Sequence, residues 1–176
     1  MPSPLIRVYI AVSLDGFIAT PDGDVAWLEP YPAEDFGFAQ FLEGIGTIVM
    51  GRATYDQALG FGPWPYDGKR TVVLTSRPLD DPPSGVEPWS REVVALAADL
   101  KSGSAGDIWL LGGATSIAQF LEHGLVDTLE LFVIPVLLGK GIALFDGAHR
   151  PARLQLEGAT PCSKGVVRLN YSCLAD

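Results

Sequence analysis

The chain has 176 residues, 48% hydrophobic and 19% charged, the proportions of a folded chain rather than a disordered one. Its net charge is −9, from 12 Lys and Arg against 21 Asp and Glu; with no basic stripe in view, that field repels a polyanion and argues against a nucleic-acid partner. The apolar runs are too short to cross a bilayer and no secretory signal is visible at the start, so a cytoplasmic protein without a membrane partner is expected.

The length fits one domain with one core. Cys162 and Cys173 are the two cysteines. They could meet on neighbouring strands, but without secretion cues free thiols are the simpler expectation. With His123 and His149 the only histidines, a zinc site lacks ligands.

In chain order, residues 5–12 (LIRVYIAV) form an apolar, β-branched run and predict a buried strand. Residues 17–19 extend briefly after the Asp15-Gly16 turn, and residues 20–24 are a loop by their breakers. Residues 32–42 predict a helix, with Pro32 at its start and Glu34 and Asp35 in the first turn. A second strand, 47–50, stops at Gly51, and residues 52–59 predict a short helix. Residues 60–68 form a loop and 71–75 a third strand. The proline-bearing stretch 78–88 is another loop, followed by an amphipathic helix over 92–100. Residues 108–111 form a fourth strand, and a helix over 116–122 follows the Gly112-Gly113 pair. Residues 128–138 predict a long strand with Pro135 inside it, and 154–158 and 166–173 predict closing strands. Alternating strands and helices, then consecutive strands, predict an α/β fold: a mostly parallel central sheet flanked by helices, with antiparallel strands at the C-terminus.

In such sheets ligands bind at the carboxyl ends of the strands. Three strand ends here share their chemistry: Gly51, Arg52 and Thr54; Thr75, Ser76 and Arg77; and Gly112, Gly113, Ala114, Thr115 and Ser116. Glycines and hydroxyls at helix starts leave backbone N–H groups for a phosphate, and arginine adds a planar permanent cation. Together they predict a phosphate-bearing ligand, although neither the Gly-x-Gly-x-x-Gly fingerprint nor the Walker loop is present.

The segments VSLDGFIA (12–19), IVMGRATYD (48–56), WPYDGKRTVVLTSRP (64–78), IWLLGGATSIAQFL (108–121) and LFVIPVLLGKGIALF (131–145), in this order, resemble the dihydrofolate reductase-like superfamily. The resemblance spans nearly the whole chain. It is strongest to the reductase domain of the riboflavin-biosynthesis deaminase-reductase. That likeness implies an NADPH-dependent reductase. It implies that Gly51, Arg52 and Thr54 contact the cofactor, that Thr75, Ser76 and Arg77 hold the adenosine 2′-phosphate, and that residues Gly112 to Ser116 form the diphosphate turn. It further implies a cis peptide between Gly112 and Gly113.

Hydride delivery to a C=N bond also needs a proton, from a carboxyl or an ordered water. The same likeness makes Asp35, on the helix where dihydrofolate reductases keep their substrate-binding acid, a candidate donor, with Glu34 as the neighbouring alternative and Phe36 and Phe38 beside the substrate. Asp15 matches an acid of the riboflavin reductase domain. Each acid also has a plainer role, at a helix start or in an Asp-Gly turn. Lys69, or Arg70 one residue on, matches the cation that dihydrofolate reductases use for a carboxylate. Residues 29–46 hold no Lys or Arg, which disfavours a phosphorylated substrate in the usual place. The His-x-Glu and Pro-Cys-x-x-Cys signature of the zinc deaminase half is absent.

The expectation is therefore an NADPH-dependent reductase delivering hydride to a small heterocycle. Dihydrofolate reductase activity and a non-catalytic NADPH-binding role are the alternatives. Family precedent implies a homodimer. The apolar 129–138 stretch is either its interface or an ordinary core strand.

Overall fold

The computed structural model describes residues 3–147 and 149–174. Strand β1 (Ile6–Ser13) leads through a turn to the short β2 (Phe17–Ala19), then through 3₁₀ turns at Ala26–Leu28 and Ala33–Phe36 to helix α1 (Phe38–Glu43). There follow β3 (Ile45–Gly51), α2 (Arg52–Gly60), β4 (Arg70–Leu74), β5 (Val86–Trp89), α3 (Val93–Gly103), β6 (Asp107–Gly112) and α4 (Ala114–Glu122). The chain closes with β7 (Thr128–Ile134), β8 (Ile142–Ala143), β9 (Leu154–Pro161), a 3₁₀ turn at Ser163–Gly165 and β10 (Val167–Cys173).

Eight strands form one sheet in the order β5-β4-β3-β6-β1-β7-β10-β9, and β2 pairs separately with β8. Pairings from β5 to β7 are parallel, and β10 runs antiparallel to β7 and β9. The expected sheet and its antiparallel close are present. The strands read as continuous apolar runs because helices bury both faces. Val93, Leu96 and Leu100 of α3 and Ile117 and Phe120 of α4 pack on one face with Ile6, Val8 and Leu110. Phe38, Phe41 and Tyr55 of α1 and α2 pack on the other with Tyr9, Trp109 and Phe132.

Three expectations need correction. The helix over 32–42 is interrupted: Gly37 sits at φ 80°, ψ 22°, a left-handed turn that ends the 3₁₀ segment before α1 begins. Glycine adopts that conformation without a Cβ penalty. The loop 78–88 contains β5, whose Pro88 is tolerated because β5 is an edge strand. The strand over 128–138 stops at Ile134, before Pro135.

Within the same region β7 is core, whereas Leu137 beyond it is exposed. β7 lies between β1 and β10, with Leu129, Leu131, Phe132 and Ile134 buried. Cys162 and Cys173 are free thiols, and burial pushes the Cys173 thiol up to about 11. No helix among the described residues is long and apolar enough to cross a membrane.

Candidate active site

Parallel pairing of β3 with β6 brings their carboxyl ends together, so α2 and α4 start side by side. A Cβ on Gly51 would come within 2.7 Å of Ser116 Oγ, and one on Gly113 would touch Thr54 Oγ1 at 3.5 Å. Gly51 and Gly113 are the N-caps of α2 and α4, and neither helix has a side-chain cap. Two helix starts therefore point free N–H groups into one cleft, which favours an anion by hydrogen bonding and by dipole. The Gly112-Gly113 peptide is cis, as the resemblance implied.

The cleft opens into a cavity of about 1220 Å³ that runs along the strand ends. Of the residues singled out in the sequence, Phe36, Phe38, Gly51, Arg52, Thr54, Thr75, Ser76, Gly113, Ala114, Thr115 and Ser116 lie on its wall. Arg52 is already oriented: its Nε donates to Asp56 Oδ1 at 2.8 Å and its Nη1 to the Pro78 carbonyl at 3.0 Å.

The remaining singled-out residues lie elsewhere. Asp35 is ion-paired with Lys164 at 3.0 Å, and neither it nor the exposed Glu34 reaches the cavity wall. Both acids lie in the 3₁₀ segment that ends at Gly37, outside α1. Asp15 accepts hydrogen bonds from Ser13 Oγ at 2.6 Å, Leu138 N at 3.1 Å and Gly139 N at 2.7 Å, so it braces the loop after β7. These bonds, led by the Ser13 hydroxyl, lower its pKa.

Lys69 Nζ donates to the Leu42 and Ile45 carbonyls at 3.0 and 2.6 Å and holds the α1–β3 connection. Arg70, the alternative to it, pairs with Glu87 and Asp99. Arg77 is exposed and off the wall; its backbone N–H donates to Thr75 Oγ1 at 3.1 Å. Gly112 contributes its backbone turn and no wall surface.

Sequence reasoning missed Trp89, Ser90 and Arg91, which line the cavity at the end of β5. The Arg91 guanidinium stacks on the Trp89 ring at 4.1 Å. These three residues fall between the proline-bearing stretch 78–88 and the helix expected from 92, where the local pattern carries no strand signal. Sequence reasoning also missed an aromatic floor of Tyr9, Tyr66, Trp109 and Phe132. Burial pushes the Tyr66 phenol up to about 12; burial and then the Glu130 carboxylate do the same for Tyr9. Both phenols are therefore neutral near pH 7. Among the described residues no group of His, Cys, Asp and Glu is arranged to hold a metal.

A sheet of this order with a cleft at the Gly51 and Gly113 helix starts defines a dihydrofolate reductase-like α/β protein. The model for the RibD C-terminal domain matches residues 4–168, so the chain belongs to that reductase family. It is 35% identical over 166 residues to YwjB of Bacillus subtilis, covering 93% of this chain and 95% of that one. A Shewanella sp. PV-4 structure, named as a candidate riboflavin biosynthesis protein, superposes with a TM-score of 0.86 at 29% identity, covering 97% and 99% of the two chains. Enterococcus faecalis dihydrofolate reductase, solved with NADP(H), shares the fold at a TM-score of 0.68 and 20% identity, with 97% of each chain covered.

Proposed function

We propose that the chain is an NADPH-dependent reductase of a small heterocycle. The observation that carries this reading is the meeting of two uncapped helix N-termini at Gly51 and Gly113 inside one large cavity. The donor set fits the coenzyme. Backbone N–H groups with Thr54, Thr115 and Ser116 suit a diphosphate. Thr75, Ser76 and Arg91 on the wall suit the 2′-phosphate, with Arg77 at the exposed edge, and the Trp89 ring offers a stacking face.

When bound, the reduced dinucleotide supplies a hydride to a C=N carbon. The protein's part is to hold the ring against the aromatic floor and to admit water. No carboxyl lies on that floor; Asp22 and Glu29, both exposed, are the carboxylates on the cavity wall among the described residues. Water at this rim brings the proton to the ring nitrogen. Thr54→Val with Ser116→Ala is expected to raise the KM for NADPH about tenfold or more. An unchanged KM would remove the diphosphate assignment.

The floor's lack of a carboxyl also favours a second reading, an NADPH-binding protein without turnover. Oxidation of NADPH over a panel of heterocycles separates the two: turnover with any member rejects the second, and tight binding with no turnover rejects the first. For the homodimer, Leu154, Leu156 and Val167 on β9 and β10 extend an apolar face into solvent. Sedimentation of Leu156→Glu tests that face: a shift toward monomer supports it, and unchanged mass rejects it.

A further inference from the structure

The half of the cavity over β1, β6 and β7 is walled by rings. Tyr9 and Phe132 centroids lie 4.7 Å apart, Phe38 and Trp109 5.5 Å, Tyr66 and Trp109 5.7 Å, and Phe36 and Phe132 5.8 Å. Among the described lining residues the charged side chains are Asp22, Glu29, Arg52 and Arg91. Both arginines belong to the other half: Arg52 reaches the Pro78 carbonyl beyond β4, and Arg91 follows β5 at the sheet edge. Gln57 Nε2 of α2 donates to the Gly23 carbonyl at 2.8 Å, so Asp22 stands by α2, and Glu29, in the segment that leads to Phe36, is left as the charged side chain beside the ring-walled half.

Each cation that flanks this half holds a protein group, although Arg168 Nε is buried without a partner. Lys69 holds two backbone carbonyls. Lys164 holds Asp35 and the Pro30 carbonyl. Arg7 and Arg168 both hold the buried Glu130, at 2.8 and 2.5 Å, and Arg7 also holds Asp107. These two guanidiniums line a separate, smaller cavity that Tyr9 and Phe36 share with the main one. The Tyr9 hydroxyl donates to the Phe36 carbonyl at 3.3 Å across that boundary. An anionic substituent entering here would lose its hydration and meet no cation on the lining of this half, since Arg168 Nε, which has no partner, is buried away from it. Taking one of the flanking cations would strand a buried carboxylate or orphan carbonyls.

We propose that this half takes an uncharged planar ring carrying neither phosphate nor carboxylate, and that the protein's substrate is a ring of that kind. The proposal rests on the reductase reading above. The step balances as hydride to a ring carbon and a water-derived proton to the adjacent nitrogen, with two electrons leaving the reduced dinucleotide. Stacking on Trp109, Phe36 and Phe132 supplies affinity without a charge partner. Repulsion from Glu29 adds discrimination against anions.

The test uses two matched probe pairs, dihydropterin with dihydrofolate and uridine with uridine monophosphate. Binding is read by quenching of tryptophan fluorescence, with and without NADPH. The uncharged member of each pair is expected to bind about tenfold tighter or more, as follows when a charge is desolvated without a partner. Glu29→Lys is expected to strengthen the anionic members alone. Equal or tighter binding of the anionic member in either pair overturns the proposal, as does an absence of binding by both uncharged members at millimolar levels. NADPH titrated by itself reads on the reductase assignment, so loss of coenzyme binding with the pair preference intact would strike that reading and not this one.

Discussion

Lys164 Nζ lies 3.0 Å from Asp35 Oδ2 and 2.9 Å from the Pro30 carbonyl, so the turn before β10 clasps the segment that precedes α1. This pair occupies the acid that the resemblance made a candidate for proton delivery. Both side chains are about half exposed, and such pairs contribute about 0–1 kcal/mol. Asp35→Asn is therefore expected to keep NADPH oxidation within about twofold, as surface substitutions do. A large fall in kcat at unchanged fold would return Asp35 to the chemistry.

Arg91 and Arg77 make opposite predictions. Arg91 lines the cavity and lies over the Trp89 ring, whereas Arg77 is exposed and off the wall. A charge-assisted hydrogen bond contributes about 1.5–3 kcal/mol. Arg91→Ala should thus weaken NADPH binding about tenfold or more by calorimetric titration and leave NADH nearly unchanged. Arg77→Ala should do far less. The reverse ranking would move the 2′-phosphate back to the Arg77 turn.

The contrast between these arginines shows how much the sequence could reveal. The parallel strands and the glycine-bearing ends of β3 and β6 were legible, because buried strands and helix starts leave local signatures. The cis peptide came from resemblance and not from spacing. Trp89 and Arg91 were not legible, because β5 carries Pro88 and reads as loop until β4 is seen pairing with it. The left-handed turn at Gly37 that splits an apparently continuous helix, and the Lys164 pairing of Asp35 beside it, have no signal in the local pattern. The commitments of Lys69, Arg7 and Arg168 are tertiary and have no sequence signature.

Glu130 is buried between Arg7 and Arg168, whose side chains keep 25% and 38% of their exposure. Removing a buried carboxylate costs about 3–5 kcal/mol when its partners are also buried. Solvent access to both arginines reduces this to about 2–3 kcal/mol for Glu130→Gln, measurable by urea unfolding. The Glu130 charge is also, after burial, a cause of the raised Tyr9 phenol. The variant should therefore lower the Tyr9 ionisation from about 12 in an ultraviolet titration. For the parent protein the sign follows from the raised value. The folded state favours the neutral phenol, so this contribution is complete below about pH 10 and is lost as pH rises toward 12.

Asp15 has the opposite sign. Its folded-state pKa is lowered, first by the Ser13 hydroxyl and then by the Gly139 and Leu138 amides. The stability it confers is full above about pH 4 and disappears as the pH falls through the folded value. Thermal melts of Asp15→Asn should lie below the parent at neutral pH, and the gap should close on acidification. A gap constant from pH 7 to 3 would mean that the carboxylate is not what braces the loop.

The most direct test of the central claim is calorimetric titration of the folded protein with NADPH. One site per chain is expected, with a Kd on the order of 10 μM or tighter and NADH clearly weaker. No heat with millimolar NADPH, on protein whose melt shows a cooperative fold, would contradict the account.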